Sequence, residues 1–313
     1  MPTHSRTHAT HAAGIGQARH RLYLLVLDGA SHLPLRLGFG VARLAGRLRH
    51  RLLLGSLRVN PDAARSLERT PLEIRTVARR AAELRASSEL EDRLCPRLRE
   101  PVLGRLVRIR GLENLEGALE HGKGAVLFSV HVWSADALFA ALAELGHAPT
   151  VVGYGPRTGF LPFDRELRLR QVRQMERRFG YRYLWMGEDP FVAVRAAGVL
   201  RANGVVVMFV DLPGQGAAVD VDLLGGRTRF ASGPALLSQA TGAPLLDFYL
   251  HRAETWAPVI AEIGTPFVAA GALEGAVESC AKKLDAHVRR DPAQWTFFSS
   301  RAGSDALDAA APR

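Results

Sequence analysis

The sequence predicts an α/β protein, with a central, mostly parallel or mixed sheet flanked by helices and an N-terminal helical segment that associates with membranes. Three observations carry this expectation. Short apolar, partly β-branched runs, such as 124–130 and 205–211, alternate with helix-like stretches through the middle of the chain. The 313 residues are 47% hydrophobic and 23% charged, enough to bury one moderately large core. Ahead of residue 100, the chain carries helical periodicity with many arginine and glutamate neighbours.

In chain order, residues 1–20 hold His4, His8, His11 and His20 among small polar residues. With nothing apolar to fold them, they read as a disordered basic tail and not as a metal tract. Residues 21–100 read as a helical, membrane-associating region. Arg36, Arg43, Arg47, Arg49, Arg51 and Arg58 are interleaved with leucine and glycine from Leu33 to Leu57, which provides the apolar face and the basic face of an interfacial helix. The same pattern fits an amphipathic helix pair packed on its own core with solvated arginines. The best uninterrupted apolar run, Leu22 to Leu27, falls far short of the roughly 20 residues a membrane-spanning helix needs, and no secretory signal pattern is present. Residues 101–301 form the expected α/β core, beginning near Pro101, and 302–313 a flexible tail.

A formal charge of +10 and a pI near 10.5 call for an anionic partner: nucleic acid, an anionic membrane, a phosphorylated lipid or an acidic carrier protein. Aromatic residues are scarce among the arginines, which argues against nucleic acid. The two cysteines, Cys95 and Cys280, have no metal-ligand spacing and form no disulfide framework, as expected for a reducing compartment without structural zinc.

The most informative local pattern is Ser129-Val130-His131-Val132-Trp133-Ser134-Ala135-Asp136. It lies between the strand-like run 124–130 and the helix-like run Ala137–Leu145 closed by Gly146. On one unbroken helix, residues five apart point about 140° away from each other, so His131 and Asp136 can meet only if a turn intervenes. In the functional reading Asp136 fixes the imidazole tautomer and His131 takes a proton from an attacking hydroxyl. The alternative is a hydrogen-bonded turn histidine beside an aspartate that caps a helix.

Downstream, Val205–Val210 leads into Asp211, either a functional side chain exposed at a strand end or a turn residue before Pro213 and Gly214. Arg165, Arg168, Arg170, Arg173, Arg177, Arg178 and Arg182 are interrupted by only two acids, Glu166 and Glu176. The run is a solvated helix face or an anion-binding surface suited to phosphate or an acidic carrier protein, with Arg173 and Arg177 as candidate contacts. His251 and His287 show no partner pattern and read as structural or surface residues. The segment Gly117-x4-Gly122-Lys123 lacks the Ser or Thr and the strand-loop-helix order of a P-loop, Gly214-Gln215-Gly216 lacks a third glycine, and no serine-nucleophile elbow is present.

Several segments together resemble a known family. The order helix, Gly122-Lys123-Gly124, apolar strand, His-x4-Asp is similar to that of the bacterial lipid A late acyltransferases, within the lysophospholipid and glycerolphosphate acyltransferase superfamily. Val205–Asp211 resembles that family's second apolar strand ending in Asp, Phe230–Pro244 its glycine-led helix with a Thr-Gly-Ala-Pro exit, and Asp291-Pro292-Ala293-Gln294-Trp295 its near-terminal Pro-Glu-Gln-Trp segment. The matches span most of residues 20–301. The chain departs from the pattern after the histidine, where Val132-Trp133-Ser134-Ala135 stands in place of Gly-Asn-Trp-Glu, and in Tyr154-Gly155-Pro156-Arg157, an approximate counterpart of an Arg-Pro loop.

The resemblance implies a glycerolphosphate-acyltransferase-like fold and transfer of a fatty acyl chain from an acyl carrier protein or CoA thioester to a hydroxyl of a lipid or glycolipid, such as a lipid A precursor. His131 and Asp136 would be catalytic, and Arg157, Arg173, Arg177 and Asp211 would contact substrate. No metal or redox cofactor is called for, and the work would be done at the cytoplasmic face of the inner membrane. A different acceptor, such as a phosphoinositol mannoside, another glycolipid or a specialised metabolite, stays open, as does a non-catalytic lipid-binding relative.

Overall fold

The computed structural model describes residues 18–53, 70–98, 101–155, 165–212, 217–224, 226–254 and 256–298. Among the described residues, three helices come first: α1 over 18–30, α2 over Leu35–Leu53 and α3 over Pro71–Leu94. A reciprocal capping box opens α3. Thr70 Oγ1 accepts from the Glu73 amide, the Glu73 carboxylate accepts from the Thr70 amide, and Pro71 occupies the first helical position, where no N–H is needed. Helix α2 lies close on α3 because Gly46 faces the Ala82 carbonyl, where an added Cβ would come to 2.6 Å. Buried between the elements, Glu91 of α3 pairs with Arg252, and both side chains are almost fully enclosed.

The core continues as β1 (Val107–Arg110), α4 (Leu112–Glu120), β2 (Ala125–Ser129), α5 (Ala135–Glu144), β3 (Thr150–Tyr154), α6 (Arg165–Phe179), β4 (Arg182–Met186), α7 (Val192–Arg201) and β5 (Val205–Phe209). A two-stranded hairpin, β6 (Ala218–Leu223) with β7 (Gly226–Ala231), leads to α8 (Gly233–Thr241), β8 (Leu245–His251), β9 (Val259–Ile263) and α9 (Leu273–Arg290). The main sheet has the order β1-β9-β8-β2-β5-β3-β4. Every neighbouring pair in it is parallel except β8 with β9. This is the α/β architecture with a mostly parallel sheet flanked by helices that the alternating pattern predicts. No helix among the described residues is long and apolar enough to cross a membrane.

Strand β2 is buried at every residue, the signature of a central parallel strand covered on both faces. Its start depends on Gly124, whose φ of +67° and close approach to the Gly204 carbonyl leave no room for a side chain. The route out of β2 runs through α5 to β3, toward one edge of the sheet, while the route out of β5 runs through β6, β7 and α8 to β8, toward the other. Adjacent strands whose exits diverge open a crevice at their C-terminal ends, the usual place for a site in such a sheet.

Candidate active site

His131 stands in that crevice. Strands β2 and β5 pair in parallel with Ser129 opposite Phe209, and the pairing runs on past the strand ends, with the Val210 amide donating to the Ser129 carbonyl at 2.9 Å. Two residues on from the Ser129–Phe209 pair, His131 therefore faces Asp211. Asp211 Oδ1 lies 2.5 Å from His131 Nδ1, and Asp211 Oδ2 accepts from the His131 amide at 2.9 Å and from Trp295 Nε1 at 2.8 Å. The carboxylate is almost wholly buried, whereas the His131 side chain keeps 31% of its surface exposed. With Nδ1–H donated to Asp211, the lone pair falls on Nε2, which has no hydrogen-bond partner among the described residues. The ring stacks on Phe209 at 4.4 Å between centroids and meets the tilted ring of Phe297 at 5.1 Å, so apolar rings hold its orientation.

The turn after His131 is strapped to the C-terminal segment. The Thr296 amide donates to the His131 carbonyl at 2.8 Å, the Trp133 amide to the Gln294 carbonyl at 3.2 Å, and Trp133 Nε1 to the Ala293 carbonyl at 3.2 Å. Ser134 then adopts φ 69°, a left-handed conformation unusual for a residue other than glycine, asparagine or aspartate. Its amide donates to Ser88 Oγ at 2.9 Å, tying the turn to α3 as well. The short segment Asp291–Trp295 thus buttresses the histidine turn and supplies the indole that holds Asp211.

Asp136 is where the sequence-based expectation needs correction. It does not meet His131. It sits in the first turn of α5, buried, and accepts from Arg168 Nη2, from Tyr183 Oη at 2.9 Å and from Tyr181 Oη at 3.3 Å. Arg168 also reaches Asp92 of α3 at 3.2 Å. The intervening turn directs Asp136 away from the strand end, and the carboxylate on the imidazole comes instead from β5, 80 residues later in the chain. Burial opposes the Arg168 charge, but Asp136 and Asp92 outweigh it and hold the guanidinium well above its usual range. Burial pushes Asp92 up to about 7, against the lowering by Arg168 and with further raising from Asp136. The hydroxyls of Tyr181 and Tyr183 are pushed well above the usual phenol range by burial and by Asp136. This network ties α3, α5, α6 and β4 together behind the histidine turn.

The remaining site residues divide. Arg157 lies outside the described residues. Arg173 and Arg177 are exposed on α6, and no hydrogen bond or ion pair among the described residues joins either to His131. Arg177 lines a hollow of about 330 Å³ with Pro96, Arg97, Gln174 and Arg178. The basic run is partly neutralised, since Arg168 serves Asp136 and Asp92, and Arg170 pairs with Glu166 one turn away. Reading the sequence missed Arg168, Tyr181, Tyr183 and Trp295 as parts of the site. Only the Asp-Pro-x-Gln-Trp segment carried a signal, through its resemblance to a known pattern.

Chemically, the arrangement offers a base at Nε2 that opens toward solvent, its tautomer set by a buried carboxylate and its orientation held by two phenyl rings. A family model described as "Bacterial lipid A biosynthesis acyltransferase" matches residues 67–302, a span that includes His131, Asp136, Asp211 and Trp295. No curated protein matches the chain.

Proposed function

The chain belongs to the bacterial lipid A biosynthesis acyltransferase family, and from that premise we propose that it moves a fatty acyl chain from an acyl carrier protein or CoA thioester to a hydroxyl of a lipid or glycolipid, such as a lipid A precursor, with His131 as general base. The observation that carries this reading is the His131–Asp211 pair, with Nδ1 bound and Nε2 open. As the acceptor oxygen attacks the thioester carbonyl, Nε2 takes its proton. The tetrahedral oxyanion collapses with cleavage of the C–S bond, and the thiolate leaves with the proton returned by the imidazolium. Oxygen gains the acyl group, the donor leaves as a free thiol, and His131 is restored. Asp211, buried against the ring, stabilises the imidazolium formed between the two steps.

Asp136 enters this scheme as a positioning residue. By holding Arg168, Tyr181 and Tyr183 it fixes the start of α5 and hence the turn that delivers His131. A different acceptor, such as a phosphoinositol mannoside or a specialised metabolite, is favoured by one observation, the Val132–Ala135 turn that departs from the family's usual residues.

The reading includes a working surface. On α1, Leu22, Leu25 and Val26 are exposed, and on α2, Leu37, Leu44 and Leu48 are exposed along one helix face, beside exposed Arg21, Arg36, Arg43 and Arg51. Exposed leucines at helical spacing next to arginines suit docking on an anionic bilayer, which for this reaction is the cytoplasmic face of the inner membrane.

The test is thiol release from acyl carrier protein and CoA thioesters, with extracted membrane lipids as acceptors and the product identified by mass. Transfer is expected to fall about 10²- to 10⁴-fold in His131→Ala, the usual contribution of a general base. Turnover unaffected by that substitution would refute the assignment.

A further inference from the structure

Away from His131, two histidines that are 36 residues apart in the sequence converge on a glutamate. Tyr249 and Glu262 face each other across the antiparallel β8–β9 pair, so His251, two residues on from Tyr249, projects on the same face as Glu262. His287, on the last turns of α9, lays its ring flat on Tyr249, with centroids 5.2 Å apart and planes 8° apart. One donor atom from each of His251, Glu262 and His287 then falls within 4.8 Å of the others. His251 Nε2 and Glu262 Oε2 are 3.5 Å apart. That matches the edge of a tetrahedron built on metal–ligand bonds of ~2.0–2.1 Å, roughly 3.4 Å.

The other nitrogen of His287 is hydrogen-bonded to a carboxylate, and that of His251 has a carboxylate nearby, beyond hydrogen-bond reach. His287 Nε2 lies 3.1 Å from Asp247 Oδ2, and His251 Nδ1 lies 4.0 Å from Asp291 Oδ2. An imidazole that faces one centre with one nitrogen and a carboxylate with the other, as His287 does, has the outer support typical of a metal-binding histidine. A cation already stands at the centre. Arg290, one turn after His287, places Nη2 against His251 Nε2, 2.5 Å from Glu262 Oε2 and 3.3 Å from His287 Nδ1. Its side chain is 51% exposed, so the guanidinium can swing out to water. The surrounding charges are Arg110 beside Glu262, Lys283 beside Asp247 and Arg80 beside Asp291.

We propose that His251 Nε2, Glu262 Oε2 and His287 Nδ1 form a site for one divalent transition-metal ion, zinc by ligand type, for which the Arg290 guanidinium is the competing cation. Two neutral imidazoles and one carboxylate are a borderline donor set that suits zinc or cobalt better than calcium or magnesium. The ion would pin the end of α9 to β8 and β9, and Asp291, whose carbonyl accepts from Tyr249 Oη at 3.0 Å, begins the segment that carries Trp295 to Asp211. The site is therefore a brace for the C-terminal strap.

The experiment is a titration of the full chain, carrying no affinity tag, with Co²⁺, following the visible absorption of the bound ion and its displacement by Zn²⁺. Because His4, His8 and His11 also offer imidazoles, a variant with all three replaced by alanine is run alongside. One equivalent should bind to both of these proteins. Its affinity should drop by about 100-fold or more in His251→Ala/His287→Ala and by about 10- to 100-fold in Asp247→Asn. It should rise by about tenfold in Arg290→Ala, a change in a half-exposed side chain that tests the site without removing a ligand. Binding of equal strength in wild type and the double variant, or no bound equivalent in Arg290→Ala, would overturn the proposal. None of these readouts depends on acyl transfer.

Discussion

Replacing Asp211 with asparagine tests the site more sharply than removing it. Asp211 Oδ2 accepts two fixed N–H donors, the His131 amide and Trp295 Nε1, while among the described residues Oδ1 faces His131 Nδ1 alone. An asparagine in the same place keeps both donors satisfied only by setting its oxygen where Oδ2 was. Its NH₂ then points at Nδ1. The imidazole must answer with a lone pair at Nδ1 and carry its proton on Nε2, the nitrogen that should act as base. The fold is retained, because two of the three hydrogen bonds survive and the third changes direction. In a serine-protease triad the corresponding exchange lowers kcat about 10⁴-fold by the same tautomer inversion. Here the expected loss in kcat/KM is about 10³- to 10⁴-fold, or roughly 4–5.5 kcal/mol at 1.36 kcal/mol per decade. Thioester turnover is the assay, with thermal unfolding run in parallel and the His131 ring nitrogens followed by ¹⁵N NMR. An asparagine variant that unfolds like wild type and keeps activity within tenfold would refute the role assigned to Asp211.

Three further outcomes follow from the same geometry. Trp295→Phe keeps the apolar bulk and deletes one donor to a charged acceptor, so kcat should fall about tenfold, in line with the ~1.5–3 kcal/mol of a hydrogen bond to a charged group shared between stability and catalysis; an unchanged kcat counts against the strap. Asp136→Asn should cost about 3 kcal/mol of unfolding free energy, the low end for breaking a buried pair because Arg168 keeps Asp92. In that variant the ¹⁵N shifts of the His131 ring should match wild type, and altered shifts would mean that Asp136 acts on the imidazole after all. Burial raises the folded pKa of Asp92 to about 7, above the usual carboxylate range, so its stabilising contribution is full below the unfolded value and lost as pH rises through the folded one. The stability difference between wild type and Asp92→Asn, from denaturant unfolding, should fall between about pH 4 and pH 7 and stay flat above; a difference that grows with pH would refute the raised value.

The crevice also explains which parts of the site could be read in advance. His131 was legible because its signal is local: a β-branched strand, a turn and a helix start within a dozen residues, all set by short-range backbone preference. The reading of Asp136 as its partner used the same short range and failed for a physical reason. Ser134 takes a left-handed conformation that local propensity does not favour, and it is held there by contacts from α3 and the C-terminal segment. Asp211 was legible as a strand-end residue but not as the histidine's partner.

From the sequence alone came the α/β class, the strand-turn-helix around His131, the strand ending in Asp211 and the leucine-arginine character of the first helices, since each rests on periodicity within one segment. Tertiary structure alone decided which carboxylate meets which cation or imidazole. Parallel pairing of β2 with β5 sets His131 against Asp211, the packing of α6 on α5 and β4 gives Asp136 to Arg168 and two tyrosines, and the β8–β9 register with α9 gathers His251, Glu262 and His287. Such partners are separated by tens of residues, and their meeting is fixed by strand register and helix docking, which depend on burial of the whole core and leave no pattern within any one stretch of chain.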